Sequence, residues 1–177
     1  MSRRGALAAA TLLLALVGCD RILPNRTDAT LPPIADVEAI YERNGLVNGS
    51  YAFNGNIVEV TVPQAEDQIR RGGSLWARVG PYIYLFTPAT REVFDTWEGI
   101  AAVRVITRLP DGAEIARARL DRTRLSDILW QRSLNILGRT LQEGTERPVV
   151  IEELVNWGEE YTEYQYNPDY VRRRTSR

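Results

Sequence analysis

The side chains able to do chemistry in this chain are few in kind. Of 177 residues, 22 are basic and 23 acidic, and every basic residue is arginine; there is no histidine, no lysine and one cysteine, Cys19. Without histidine, a Ser-His-Asp or Cys-His nucleophile cannot be assembled, and no imidazole metal site can form. Without lysine there is no Schiff base and no P-loop. Carboxylates remain. Glu152, Glu153, Glu159, Glu160 and Glu163 gather near one helical segment. A carboxylate pair can hydrolyse a glycoside, one group as acid and the other as base or nucleophile. Adjacent acids on an amphipathic helix also describe a solvated face, and no Asp-x-Asp-x-Asp-Gly calcium loop is present. The expectation is therefore no catalytic residue, no metal and no cofactor.

Two other clusters suit binding. Arg104 and Arg108 share one face of a strand-like run, and Arg117 and Arg119 one face of the next. If the register pairs them, the patch suits anionic headgroups or cell-wall carboxylates; otherwise it is a solvated face balanced by Glu114 and Asp121. The second cluster is Tyr161, Tyr164, Tyr166 and Tyr170 with Glu160 and Glu163. Aromatic rings with polar tips favour interfaces, and the acids suit an arginine-bearing partner. Alternatively this arm wraps back and packs Tyr164 and Tyr166 on the core.

The amino terminus sets the context. Arg3 and Arg4 precede 14 uncharged residues, 5–18. As a helix these span roughly 21 Å, short of the ~30 Å hydrocarbon core but within the length of a signal-peptide apolar region. Leu16-Val17-Gly18-Cys19 resembles the lipobox of bacterial lipoproteins. That resemblance implies cleavage after Gly18, a diacylglycerol thioether on Cys19 and acylation of the new amino terminus. It also accounts for an odd cysteine in an exported chain. Ser2-Arg3-Arg4-Gly5-Ala6-Leu7 is faintly similar to a twin-arginine signal but departs at Ala6, so the general secretory route is expected. Asp20 resembles the enterobacterial signal for inner-membrane retention; the inner leaflet of the outer membrane is the alternative.

Four segments follow. Residues 1–18 read as the signal peptide. Residues 19–34, with three prolines, read as an extended tether that fully stretched would reach about 50 Å. Residues 35–170 read as one globular domain, and 171–177 as a disordered basic tail that could touch anionic lipid. The mature chain keeps 20 basic and 23 acidic residues, which does not suit nucleic acid. Its expected partners are the membrane, through the lipid, and a protein of the cell envelope.

An α+β fold is expected to position the clusters, with an antiparallel sheet of five to six strands built from hairpins and packed by helices. Runs 46–53 and 57–62 flank Asn54-Gly55-Asn56; runs 75–79 and 82–87 flank Gly80-Pro81; runs 102–109 and 114–120 flank Pro110-Asp111-Gly112. Helices are expected at 36–44, 64–71 and 89–97, with two C-terminal helices at 124–142 and 148–160 packed antiparallel. Leu125, Ile128, Leu129, Leu134, Leu137 and Leu141 are the candidates for the buried stripe of the first. Three functional readings follow: a non-catalytic binding or scaffolding lipoprotein, a carboxylate hydrolase of cell-wall glycan, and a carrier of a small apolar ligand held between sheet and helices.

Overall fold

A computed structural model describes residues 30–46 and 48–171. The lipobox, Cys19 and the arginines after Val171 lie outside the described residues. The described chain is α+β, a five-stranded sheet in the order β1-β2-β3-β4-β5 with six helices.

Ile34, read above as the end of the tether, begins α1 (Ile34–Arg43), whose Val37, Ile40 and Tyr41 face the core. β1 (Ser50–Asn54) and β2 (Ile57–Pro63) pair antiparallel around Gly55, which takes φ +59°. β3 (Ala102–Arg108) and β4 (Glu114–Asp121) form the second hairpin; Gly112 takes φ +92°, and the Asp111 carboxylate accepts from the Ala113 N–H. A bulge shifts the register after Thr107.

The expected middle hairpin does not exist. Residues 75–79 and 82–87 fall mostly within α2 (Glu66–Leu85). The alternation of Leu75, Ala77 and Val79 reads as period 2. The helix nevertheless buries Ala77, Val79, Gly80, Pro81, Tyr82 and Leu85, more than a single stripe, because it is held between the sheet and the last long helix. Gly80 is a packing residue here, not a turn residue. A Cβ there would meet the Gln64 Oε1 at 2.8 Å and the Thr107 methyl at 3.1 Å. Pro81 only forgoes one helical hydrogen bond. The real break is earlier, at Gly73, with φ +62° and ψ −152°.

With that segment helical, β2 and β3 are joined by α2 and α3 (Pro88–Thr96) and pair in parallel. The sheet is thus antiparallel except for this one central pair, as a long helical crossover allows and a tight turn does not. Thr87 caps α3 by accepting from the Thr90 N–H, with Pro88 at the first helical position. The Arg122 guanidinium closes its far end, donating to the carbonyls of Phe94, Trp97 and Ile100 beside the Phe94 ring.

α4 (Asp127–Glu143) starts at a Ser126 cap and α5 (Pro148–Tyr161) at Pro148. Thr140 Oγ1 donates to the Val150 carbonyl and Trp157 Nε1 donates to Ser133 Oγ, so residue numbers rise on one helix as they fall on the other. The pair is therefore antiparallel. The buried face of α4 differs from the leucine stripe: Trp130, Ser133, Ile136, Leu137 and Thr140 are inside, while Ile128 is 82% and Leu141 64% exposed. After α5, β5 (Glu163–Tyr166) completes the sheet against β4 and α6 (Pro168–Val171) follows.

The core lies on one side of the sheet. Val58, Val60, Val62, Val103, Val105, Ala118 and Leu120 pack with Val79, Tyr82, Leu85, Leu154 and Val155 in one cluster. Alternation sends Glu59, Thr61, Arg104, Ile106, Arg117 and Arg119 to the opposite, open face.

Candidate functional site

Pairing of β4 with β5 brings the two predicted clusters together. Partners across a ladder share a face, so the register defines rows on the open side. One row runs Glu59, Arg104, Arg119, Glu163 across four strands, and the next runs Thr61, Ile106, Arg117, Gln165. A hollow of about 310 Å3 lies over these rows. Arg104, Arg117 and Arg119 line it with Glu163 and Gln165.

All four predicted arginines have partners. Arg104 reaches Glu59 at 2.5 Å, and Arg108 reaches Glu114 at 3.4 Å. Arg117 donates to Gln165 at 3.0 Å and lies 3.5 Å from Glu114. Arg119 sits between Asp121 at 2.7 Å and Glu163 at 3.4 Å. Four arginines thus meet four carboxylates, Glu59, Glu114, Asp121 and Glu163. The face is an interleaved charge lattice, not a uniformly positive patch. Arg104 and Arg119 stand directly opposite one another, and the outer glutamates offset their repulsion. Ile106, in the middle of the face, is only 7% exposed; the stems of its arginine neighbours can cover it while their charges stay in water.

The tyrosine arm divides. Tyr164 is 44% exposed and Glu163 and Gln165 face water, whereas Tyr166 turns inward. Its hydroxyl lies 2.6 Å from the Tyr82 hydroxyl and donates to Glu159 Oε1 at 3.0 Å. The same carboxylate oxygen receives Arg78 Nε at 3.1 Å, and the Arg78 guanidinium lies 5.7 Å from the Tyr166 ring centroid. Burial, then Tyr82 and Glu159, push the Tyr166 phenol far above its ordinary value; burial does the same to Tyr82. Burial opposes the Arg78 charge, but hydrogen bonding and attraction to Glu159 outweigh it and raise its pKa. With these phenols protonated, the hydroxyl–hydroxyl and hydroxyl–carboxylate hydrogen bonds tie α2, α5 and β5 together. Tyr161 packs on Trp157 with ring centroids 4.4 Å apart, Tyr170 is half-buried, and Glu160 is exposed with its carbonyl held by Arg124.

The carboxylates weighed for hydrolysis are dispersed among arginines on different elements: Glu153 pairs with Arg139, Glu159 with Arg78, Glu163 with Arg119, and Glu152 is exposed. Among the described residues, no group of three or more acidic, histidine or cysteine side chains is arranged to hold a metal. Sequence reasoning missed Tyr82, Arg78 and Glu59. Glu59 had a signal, its polar place in the Val58-Val60-Val62 alternation. The other two lay in the segment misread as strand.

Fold and face together describe an α+β protein with a helix-covered sheet whose other side carries paired charges. No family model matches the chain, and no curated protein or solved structure shows significant similarity to it. Among the described residues, no helix is long and apolar enough to cross a membrane.

Proposed function

We propose that the chain is an exported lipoprotein, anchored to the membrane by lipid on Cys19, whose folded domain binds a protein of the cell envelope without catalysing a reaction. One observation carries the binding part: the open sheet face gathers Arg104, Arg117, Arg119, Glu163 and Gln165 around a single hollow. Arginine is a residue on which interfaces concentrate their energy. An interleaved pattern of both charge signs fixes register and rejects wrong partners more than it adds raw affinity. The commitment of Glu153, Glu159 and Glu163 to separate arginines favours this reading over glycan hydrolysis. The anchor rests on the lipobox resemblance and on the absence of a second cysteine.

The anchor is tested by labelling cells with an alkyne fatty acid. Label should join the wild-type chain and not Cys19→Ser, which should leave the membrane fraction. An unlabelled chain would remove the anchor. The face is tested by a photo-crosslinking residue at position 165, which lines the hollow and is exposed, with position 128 on the exposed side of α4 as control. A crosslinked species at 165, absent at 128 and lost in Arg119→Glu, is expected. Equal crosslinking at both positions would remove the open face from the function. Fragments released from peptidoglycan by the purified chain would overturn the non-catalytic reading.

A further inference from the structure

A second hollow, of about 990 Å3, opens away from the charge lattice. Its walls come from three elements: the first turns of α2, the β3–β4 turn and α6. Ile69, Leu109 and Tyr170 are half-buried there and pack on a small separate cluster of Ala77, Ile115 and Ala116. They make an apolar floor. Glu66, Asp111 and Asp169 line the same hollow and are exposed, so they make an acidic rim with Arg70 as its single cation among the described residues. The positive φ of Gly73 turns the first segment of α2 away from the rest of the helix and sets that wall in place.

The charge balance differs from that of the open face. There, four arginines meet four carboxylates. Here, the neighbouring Asp67 and Arg71 close on each other at 2.5 Å within the helix, while Glu66, Asp111, Asp169 and Arg70 make no ion pair with any described residue. Three carboxylates thus stand on separate elements around an apolar floor. Such a site complements an extended segment carrying apolar side chains flanked by positive charge; the floor supplies burial and the rim supplies register.

We propose that this groove is a docking site for a short basic segment of a partner protein, independent of the open face. The probe is a fluorescein-labelled hexapeptide of alternating leucine and arginine, with a control in which glutamine replaces arginine. Fluorescence anisotropy is read against the full chain at low and high salt. The arginine peptide should bind, and salt should weaken it. Glu66→Gln and Asp169→Asn should each weaken it about two- to fivefold, the range of an exposed ion pair. Arg70→Gln should tighten it by a similar factor, a gain that damage to the fold does not produce. Glu163→Gln, on the open face, should leave it unchanged. Absence of binding, equal affinity for the glutamine peptide, or indifference to all the groove variants would overturn the site. Binding that appears only after deletion of residues 172–177 would assign the groove to the chain's own arginines and overturn a partner segment as its occupant.

Discussion

The hydroxyls of Tyr82 and Tyr166 lie 2.6 Å apart, joining the last turn of α2 to the strand that ends the sheet. Tyr82 is fully buried. Through Tyr166 the contact extends to Glu159 and Arg78, so one polar cluster holds α2, α5 and β5 together. The position of β5, and with it Glu163 and Gln165 on the open face, depends on this clamp.

Tyr166→Phe should therefore destabilise the domain by ~1–2 kcal/mol, because it strips a partner from two buried or half-buried polar groups. Tyr166→Ala should cost more, roughly 3–5 kcal/mol, by also removing the ring. Urea unfolding followed by tryptophan fluorescence measures both. A double-mutant cycle of Tyr82→Phe with Tyr166→Phe should show coupling; simple additivity would mean that the two hydroxyls act independently.

Alkaline pH should unfold the protein through the same groups. Burial raises Tyr41, Tyr82 and Tyr166, and burial followed by repulsion from Glu38 and Glu42 pushes Tyr51 up to about 12. An unfolded tyrosine ionises near pH 10. With the folded value above the unfolded one, this contribution is fully present below about pH 10 and is lost as pH rises through the folded values. Urea midpoints should hold steady up to pH 9 and fall between pH 10 and 12. The fall should be shallower in Tyr166→Phe.

Gly158→Ala should destabilise despite the better helix propensity of alanine. A Cβ at residue 158 would sit 2.4 Å from the Tyr82 ring. Overpacking of this kind costs ~1–3 kcal/mol, against about 1 kcal/mol gained from propensity. A thermal midpoint equal to or above wild type would show that Tyr82 can move aside.

Arg122→Gln should loosen the end of α3. Three carbonyls, those of Phe94, Trp97 and Ile100, share this guanidinium. Burial lowers its pKa, and attraction to Glu98 and Asp95 only partly opposes that. A loss of roughly 2–3 kcal/mol is expected for charged hydrogen bonds of this type. Hydrogen exchange should rise first in residues 94–101, and unchanged protection there would sink the assignment.

Short-range chemistry was legible. Asn54-Gly55-Asn56 and Pro110-Asp111-Gly112 mark both hairpins, since each needs a glycine at positive φ and polar neighbours able to fold back. Pro88 and Pro148 mark helix starts for an equally local reason. Residues 75–87 were not legible. The burial of Gly80 answers to Gln64 and Thr107 and that of Ala77 to Ile115 and Ala116, all distant in the chain, and a buried helix packed on two sides loses the single stripe that identifies it. The same holds for α4, where polar Ser133 and Thr140 lie inside because Trp157 and the Val150 carbonyl meet them there.

The sequence by itself determined what chemistry is impossible, what the first twenty residues resemble, and which residues could bind. Residue types and local spacing suffice for those, because they do not depend on who the neighbours are. Only the tertiary structure decided that β2 and β3 run parallel, that the arginines are matched by carboxylates, and that the tyrosine arm is a fifth strand with one ring clamped and one exposed. Register is a long-range property. Sliding β5 by a single residue would turn Glu163 and Gln165 toward the helices and Tyr166 toward water, and it is the burial of Tyr166 against Tyr82 that fixes the choice.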